Sequence, residues 1–297
     1  MDNLRGAALM VAAMACFATE DMFVKWLSGD LSVGLILLVL GVGGGGVFAI
    51  IAKAQGRALL GRDLWHRAVI IRNLGEMMGT FGFVTAIALT PLSSASAILQ
   101  ANPLAVTLGA ALFLGADVGW RRWTAIGVGF VGVLLIIQPG MDGFEPASLF
   151  AVLGVIGLAI RDLATRAAPK HVTSMQIATW GFAAVAPVGV LLIVRDGGAA
   201  LPQSSHLPLF IGALAFGIAG YYMIVAAMRV GEVAIVTPFR YTRLIFSLVI
   251  GIVAFGERPD AMMLTGAAII VASGLYTLGR EAQARRRARR KAAQSAA

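Results

Sequence analysis

Two arginines, Arg240 and Arg243, fall near the middle of an apolar run over residues 233–255 that is long enough to cross a bilayer as a helix. An arginine at the centre of a membrane helix costs about 2.5–3.5 kcal/mol on insertion scales, so two of them require partners, water or a ligand. Spaced i and i+3, they share one helix face with Val236 and Ser247. Pro238, just before them, cannot donate a backbone hydrogen bond and loosens the helix where the charges sit. Two readings follow: a structural pair neutralised by acids on neighbouring helices, or a hydrated cationic spot that meets the anionic group of a small solute.

Other polar residues repeat this pattern inside apolar runs. Arg72, Glu76 and Thr80 descend one helix face, as do Ser93, Ser96, Gln100 and Thr107, with Asn102 and Pro103 interrupting the latter run. Tyr221 and Tyr222 lie in the middle of a further run, and Tyr241 lies between the two arginines. At about 1.5 Å per residue, Glu76, Arg240 and Arg243 come to similar depth and can face one cavity. The candidate substrate-binding set is therefore Glu76, Gln100, Asn102, Tyr221, Arg240, Tyr241 and Arg243. Each has a structural alternative. Arg72 and Glu76 can pair locally, Gln100 and Asn102 can tie helices together, and Tyr221, Tyr222 and Trp180 can pack with a satisfied polar tip. Asp21 with Lys25, and Asp162 with Arg166, read as i,i+4 structural ion pairs near helix ends. Glu20 and Arg161, next to those pairs, are open to bridging other helices.

Several chemistries are missing. There is no GxxxxGK[ST] loop for nucleotide phosphates, and His66, His171 and His206 are scattered with no HExxH or cysteine cluster. No GxSxG elbow accompanies the serines. The chain is expected not to be an enzyme and to use neither cofactor nor metal.

The elements that must position these groups follow from composition. With 59% hydrophobic and 13% charged residues in 297, the chain lies outside the balance of a soluble domain, and 36 glycines with 8% aromatics point to closely packed helices rather than a β-barrel. The lone Cys16 excludes an internal disulfide. Ten runs of spanning length occur near 6–27, 32–52, 68–89, 93–115, 122–138, 146–167, 172–194, 207–228, 233–255 and 260–279. The first resembles a signal peptide through Arg5 and the small residues Ala15 and Ala18, but its apolar character continues through Met22-Phe23-Val24, so it is read as an uncleaved helix.

An even number of spans leaves both termini on one side, and the basic residues assign that side to the cytoplasm. Arg280, Arg285, Arg286, Arg287, Arg289, Arg290 and Lys291 crowd the tail, and alternate loops carry Lys53, Arg57, Arg62 and Arg67, then Arg121 and Arg122, then Arg166 and Lys170, then Arg229. The net charge of +9 is thus spent on lipid headgroups and topology, not on nucleic acid.

A shift of about 141 residues lays Asp21 and Lys25 over Asp162 and Arg166, and Glu20 over Arg161. One of about 139 lays Ala88-Leu89 and Ala95 over Ala227-Met228 and Ala234. The chain therefore reads as two five-helix halves, 1–142 and 143–280, followed by a basic tail, 281–297, expected to be disordered. Five is odd, so the halves enter the membrane oppositely, which is the basis of alternating access.

This pattern resembles the ten-helix drug/metabolite transporters of the EamA type over nearly the whole chain. The resemblance is carried by Phe23-Val24-Lys25, by residues 88–97 (ALTPLSSASA) with Pro103, by the equivalent stretch 226–237, and by Phe255-Gly256-Glu257 followed by Gly266. The first half departs from it by offering Asp117 in place of that glutamate, and Arg240 with Arg243 is more charge than the pattern requires. Within the superfamily the chain is similar to the YddG-like amino-acid exporter branch. The resemblance implies an all-α membrane protein of two inverted repeats around a central cavity, in the bacterial inner membrane, exporting a small solute from the cytoplasm as a monomer without covalent chemistry. For an amino acid, Arg240 or Arg243 would take the carboxylate and Glu76 the ammonium, while Tyr221 and Tyr241 would accept an aromatic or hydrophobic side chain. The rival readings are export of organic cations or drugs held by Glu76 and Asp21, transport of nucleotide sugars whose phosphate meets the arginines, and, more distantly, an integral membrane enzyme acting on lipid.

Overall fold

The computed structural model describes residues 2–115, 119–141, 143–169 and 171–295, and all the regular structure among them is helical. Asp117 and Lys170 lie outside the described residues. The helices are α1 (Asp2–Leu27), α2 (Val33–Ala54), α3 (Arg67–Leu89), α4 (Leu92–Leu99), α5 (Asn102–Phe113), α6 (Trp120–Ile137), α7 (Ser148–Arg166), α8 (Ser174–Arg195), α9 (Leu207–Val230), α10 (Val233–Val236), α11 (Thr242–Phe255) and α12 (Ala261–Ser295). Among the described residues nine helical segments are long and apolar enough to cross a membrane, with α4 and α5 counted as one. The 23-residue α3 matches them in length but carries Arg72, Asn73 and Glu76.

Two spans are broken, and proline sits at both breaks. Gln100 and Ala101 separate α4 from α5, whose second residue is Pro103, and the 3-10 turn Thr237–Tyr241 containing Pro238 separates α10 from α11. Discontinuous helices leave backbone groups without helical partners in mid-membrane. Here the two breaks meet: Gln100 Nε2 donates to the Tyr241 carbonyl at 3.3 Å, across 141 residues of sequence.

Helices pack as α3 on α7, α1 on α9, α2 on α8 and α6 on α12, with α11 against α1 and α4. The 141-residue shift reappears in these contacts: Gly79 of α3 meets Leu158 of α7, and Gly220 of α9 meets Phe17 of α1. Glycine allows this closeness, since a Cβ on Gly75 would lie 2.6 Å from the backbone nitrogen of Arg161. The glycine-rich stretch 41–46 is used inside the chain, where Gly41 and Gly44 pack on Phe182 of α8.

Side chains tie one end of the bundle together. Gly256 closes α11 with φ of +64°, a conformation that favours glycine, and the chain turns so that Glu257 reaches the start of α4. Its carboxylate accepts from Leu92 N at 2.5 Å, Ser93 N at 3.0 Å and Ser93 Oγ at 2.5 Å. A carboxylate is well suited to that helix N-terminus. Close by, Lys25 Nζ donates to the Ile87 and Thr90 carbonyls at 3.1 and 2.7 Å, covering the end of α3, and lies over the Phe255 ring. Elsewhere, Trp180 Nε1 and Gln176 Nε2 hold the Leu59 and Ala58 carbonyls of the loop after α2.

The last helix continues to Ser295, so residues 281–295 have a helical backbone where their charge suggested disorder. Alanine, arginine, lysine and glutamine are strong helix formers, and α12 simply propagates through them.

Candidate functional site

A cavity of about 410 Å³ lies between α1, α3, the two broken spans, α7, α8 and α9. It gathers all seven candidate residues: Glu76, Gln100, Asn102, Tyr221, Arg240, Tyr241 and Arg243. Their surroundings differ, and the differences assign them different work.

Arg243 is engaged. Its Nη2 lies 2.8 and 2.7 Å from the two Asp21 oxygens, with Nε 3.2 Å from one of them, and its guanidinium lies 5.3 Å from the Phe17 ring centroid and 5.2 Å from that of Phe83. A planar fork matched by a carboxylate and flanked by two rings is an arrangement particular to arginine. Asp21 is therefore not the partner of Lys25, as its i,i+4 spacing suggested. Lys25 is drawn instead to the uncovered carbonyls of α3, and Asp21 turns inward to the charge that most needs it.

The second expected local pair is likewise replaced. Asp162 binds Arg161, with Nε at 2.9 Å and Nη2 at 2.8 Å, and accepts from Asn102 Nδ2 at 3.1 Å, while Arg166 is exposed at the end of α7. Asn102 corresponds to Arg243 under the 141-residue shift, so Asp162–Asn102 and Asp21–Arg243 are equivalent contacts in the two halves. Arg161 also reaches Glu76 at 3.3 Å, and Arg72 reaches the same carboxylate at 2.6 Å. Glu76 thus lies between two guanidinium groups, which occupy the role expected of a solute ammonium. Arg72 is buried against α8 at Gly181, where a Cβ would collide with its guanidinium.

Arg240 differs from both neighbours. It lines the cavity from the 3-10 turn and forms no hydrogen bond or salt bridge with any described residue. Asp162 is the acid that acts on it electrostatically, but the oxygens of Asp162 are held by Arg161 and Asn102. The break at Pro238 explains its freedom: the local 3-10 turn releases Arg240 from the α-helical face it would share with Arg243.

The tyrosines are partly spent on structure. Tyr221 donates its hydroxyl to the Ser174 carbonyl at 3.1 Å and meets Phe48 edge-on at 4.9 Å. Tyr241 Oη is wedged against Gly274 of α12 and has no hydrogen-bond partner among the described residues. Tyr222 is exposed.

Glu20 and Arg161, both open to bridging other helices by sequence, part ways here. Arg161 joins α7 to α3, whereas Glu20, also lining the cavity, forms no hydrogen bond or ion pair with any described residue. The signal was the alignment of Glu20 with Arg161, which places opposite charges at equivalent points of the two halves.

A model of the EamA-like transporter family matches the chain twice, over residues 4–138 and 146–279. A riboflavin transporter of Rhizobium johnstonii is 27% identical, covering 95% of this chain and 93% of the relative. An S-adenosylmethionine uptake transporter of Rickettsia conorii is 26% identical over 73% of this chain and 74% of its own length. A pseudopaline exporter of Pseudomonas aeruginosa is 26% identical over 90% and 93%. A solved crystal structure shares the fold at TM-score 0.58 and 18% identity, covering 91% of this chain and 94% of the other.

Proposed function

The chain belongs to the EamA-like transporter family, and from that premise we propose that it is a secondary transporter moving a carboxylate-bearing small metabolite, an aromatic or hydrophobic amino acid, through the central cavity. The observation that carries this reading is Arg240, a guanidinium lining the cavity with no anion of the described protein bound to it. A solute carboxylate supplies the missing partner through charge-assisted hydrogen bonds. Phe17, Phe83 and Phe182 line the same space and suit an apolar side chain. Alternating access is supported by the two matches to one family model, the recurrence of contacts at a 141-residue shift and the pair of broken spans. Export from a bacterial cytoplasm, with both termini inside, is supported by the basic loops and by the amino-acid exporter resemblance.

Riboflavin is a second reading, favoured by the near full-length match to a relative of that name and by the aromatic lining. Reconstituted proteoliposomes given labelled phenylalanine, tryptophan and leucine, in both directions and with or without a pH gradient, test the proposal. Saturable amino-acid flux that falls at least tenfold in Arg240→Ala is expected. Flux unchanged in that variant rejects the carboxylate site, and competition by riboflavin alone favours the second reading.

A further inference from the structure

The charges lining the cavity balance in number but not in place. Among the lining residues are four carboxylates, Glu20, Asp21, Glu76 and Asp162, and four guanidinium groups, Arg72, Arg161, Arg240 and Arg243. Asp21 closes on Arg243, and Glu76 and Asp162 are held by Arg72 and Arg161. What remains is one acid, Glu20, and one base, Arg240. Arg243 lies within electrostatic reach of both, but its fork belongs to Asp21.

The pseudo-repeat explains why Glu20 lacks a partner. Glu20 corresponds to Arg161, and Gly217 of α9 corresponds to Glu76 of α3. Arg161 has Glu76 beside it at 3.3 Å, whereas Glu20 rests on Gly217, where a Cβ would lie 2.6 Å from Glu20 Oε1. One half supplies a side chain of opposite charge; the other supplies none. A half-buried carboxylate with no cation bound to it is left partly uncompensated, and a cation entering the cavity relieves that cost.

We propose that Glu20, backed by Gly217, is a subsite for a positively charged group of the solute, an ammonium, and that with Arg240 it makes the cavity selective for zwitterions. This rests on the proposed reading of the cavity as the solute site. It moves the ammonium contact from Glu76 to a residue on α1 and gives the solute a fixed direction, carboxylate toward the broken ninth span and ammonium toward the face between α1 and α9.

Three probes separate the two charges: phenylalanine carries both, N-acetyl-phenylalanine only the carboxylate, and phenethylamine only the ammonium. Binding is measured by calorimetry on full-length protein in detergent, for the unmodified chain and for Glu20→Gln, Glu20→Asp and Gly217→Ala, each checked for a monodisperse size-exclusion profile. The unmodified chain is expected to prefer phenylalanine to N-acetyl-phenylalanine at least tenfold. Glu20→Gln brings that ratio near one, Glu20→Asp retains a preference, and Gly217→Ala, which displaces the carboxylate without removing it, reduces the ratio. Should Glu20→Gln fail to fold, Gly217→Ala carries the test. A ratio near one in the unmodified chain, or a wild-type ratio in both Glu20→Gln and Gly217→Ala, overturns the subsite. Phenethylamine binding that depends on Glu20 while phenylalanine does not bind keeps the subsite and overturns the carboxylate reading. No binding of any probe overturns both.

Discussion

Arg240 and Arg243, three residues apart, are expected to fail in opposite ways when removed. Arg243→Ala leaves Asp21, a buried carboxylate on α1, without its guanidinium, and breaking one side of such a pair costs about 3–5 kcal/mol. Arg240→Ala breaks no ion pair with a described residue, so its effect on stability is expected within about 1 kcal/mol. Binding reverses the order. A charge-assisted hydrogen bond contributes about 1.5–3 kcal/mol, so Arg240→Ala weakens a carboxylate ligand by about 10- to 150-fold. Denaturant titration in detergent micelles, followed by phenylalanine binding on the same samples, measures both quantities. Combining Asp21→Asn with Arg243→Ala is expected to recover part of the lost stability, because no charge is then stranded. The reasoning fails if Arg240→Ala destabilises as much as Arg243→Ala, or if Arg243→Ala unfolds no sooner than the unmodified protein.

Gly181→Ala places a methyl group against the Arg72 guanidinium and is expected to cost about 1–3 kcal/mol through displaced packing, read as a lower denaturation midpoint. Glu257→Ala leaves the amides of Leu92 and Ser93 uncovered at the start of α4; a loss of about 1–3 kcal/mol is expected in the same assay, and Glu257→Gln, which keeps one acceptor oxygen, is expected to lose less.

The spans, the helix breaks at Pro103 and Pro238, and the convergence of polar residues on one cavity were legible because each follows from local chemistry: apolar length, a missing amide proton, or spacing along a helix face. Partner choice was not. Asp21 and Lys25 satisfy the i,i+4 rule, yet a carboxylate facing the protein interior is better matched by the two-pronged guanidinium of Arg243, 222 residues away. Lys25, with a single flexible ammonium, serves free carbonyls equally well. The same competition took Asp162 from Arg166 to Arg161. The position of Glu20 was visible in the repeat alignment, but its lack of a partner depends on Gly217, and a glycine gives no polar signal in sequence.

Glu257 and Lys25 fasten the end of the bundle where α3, α4 and α11 meet, using backbone atoms as their counterparts. Any motion that parts those helices must hand the amides of Leu92 and Ser93 and the carbonyls of Ile87 and Thr90 to incoming water. Unlatching is therefore a hydration event, and agents that lower water activity, such as excluded osmolytes, are expected to hold this clasp shut.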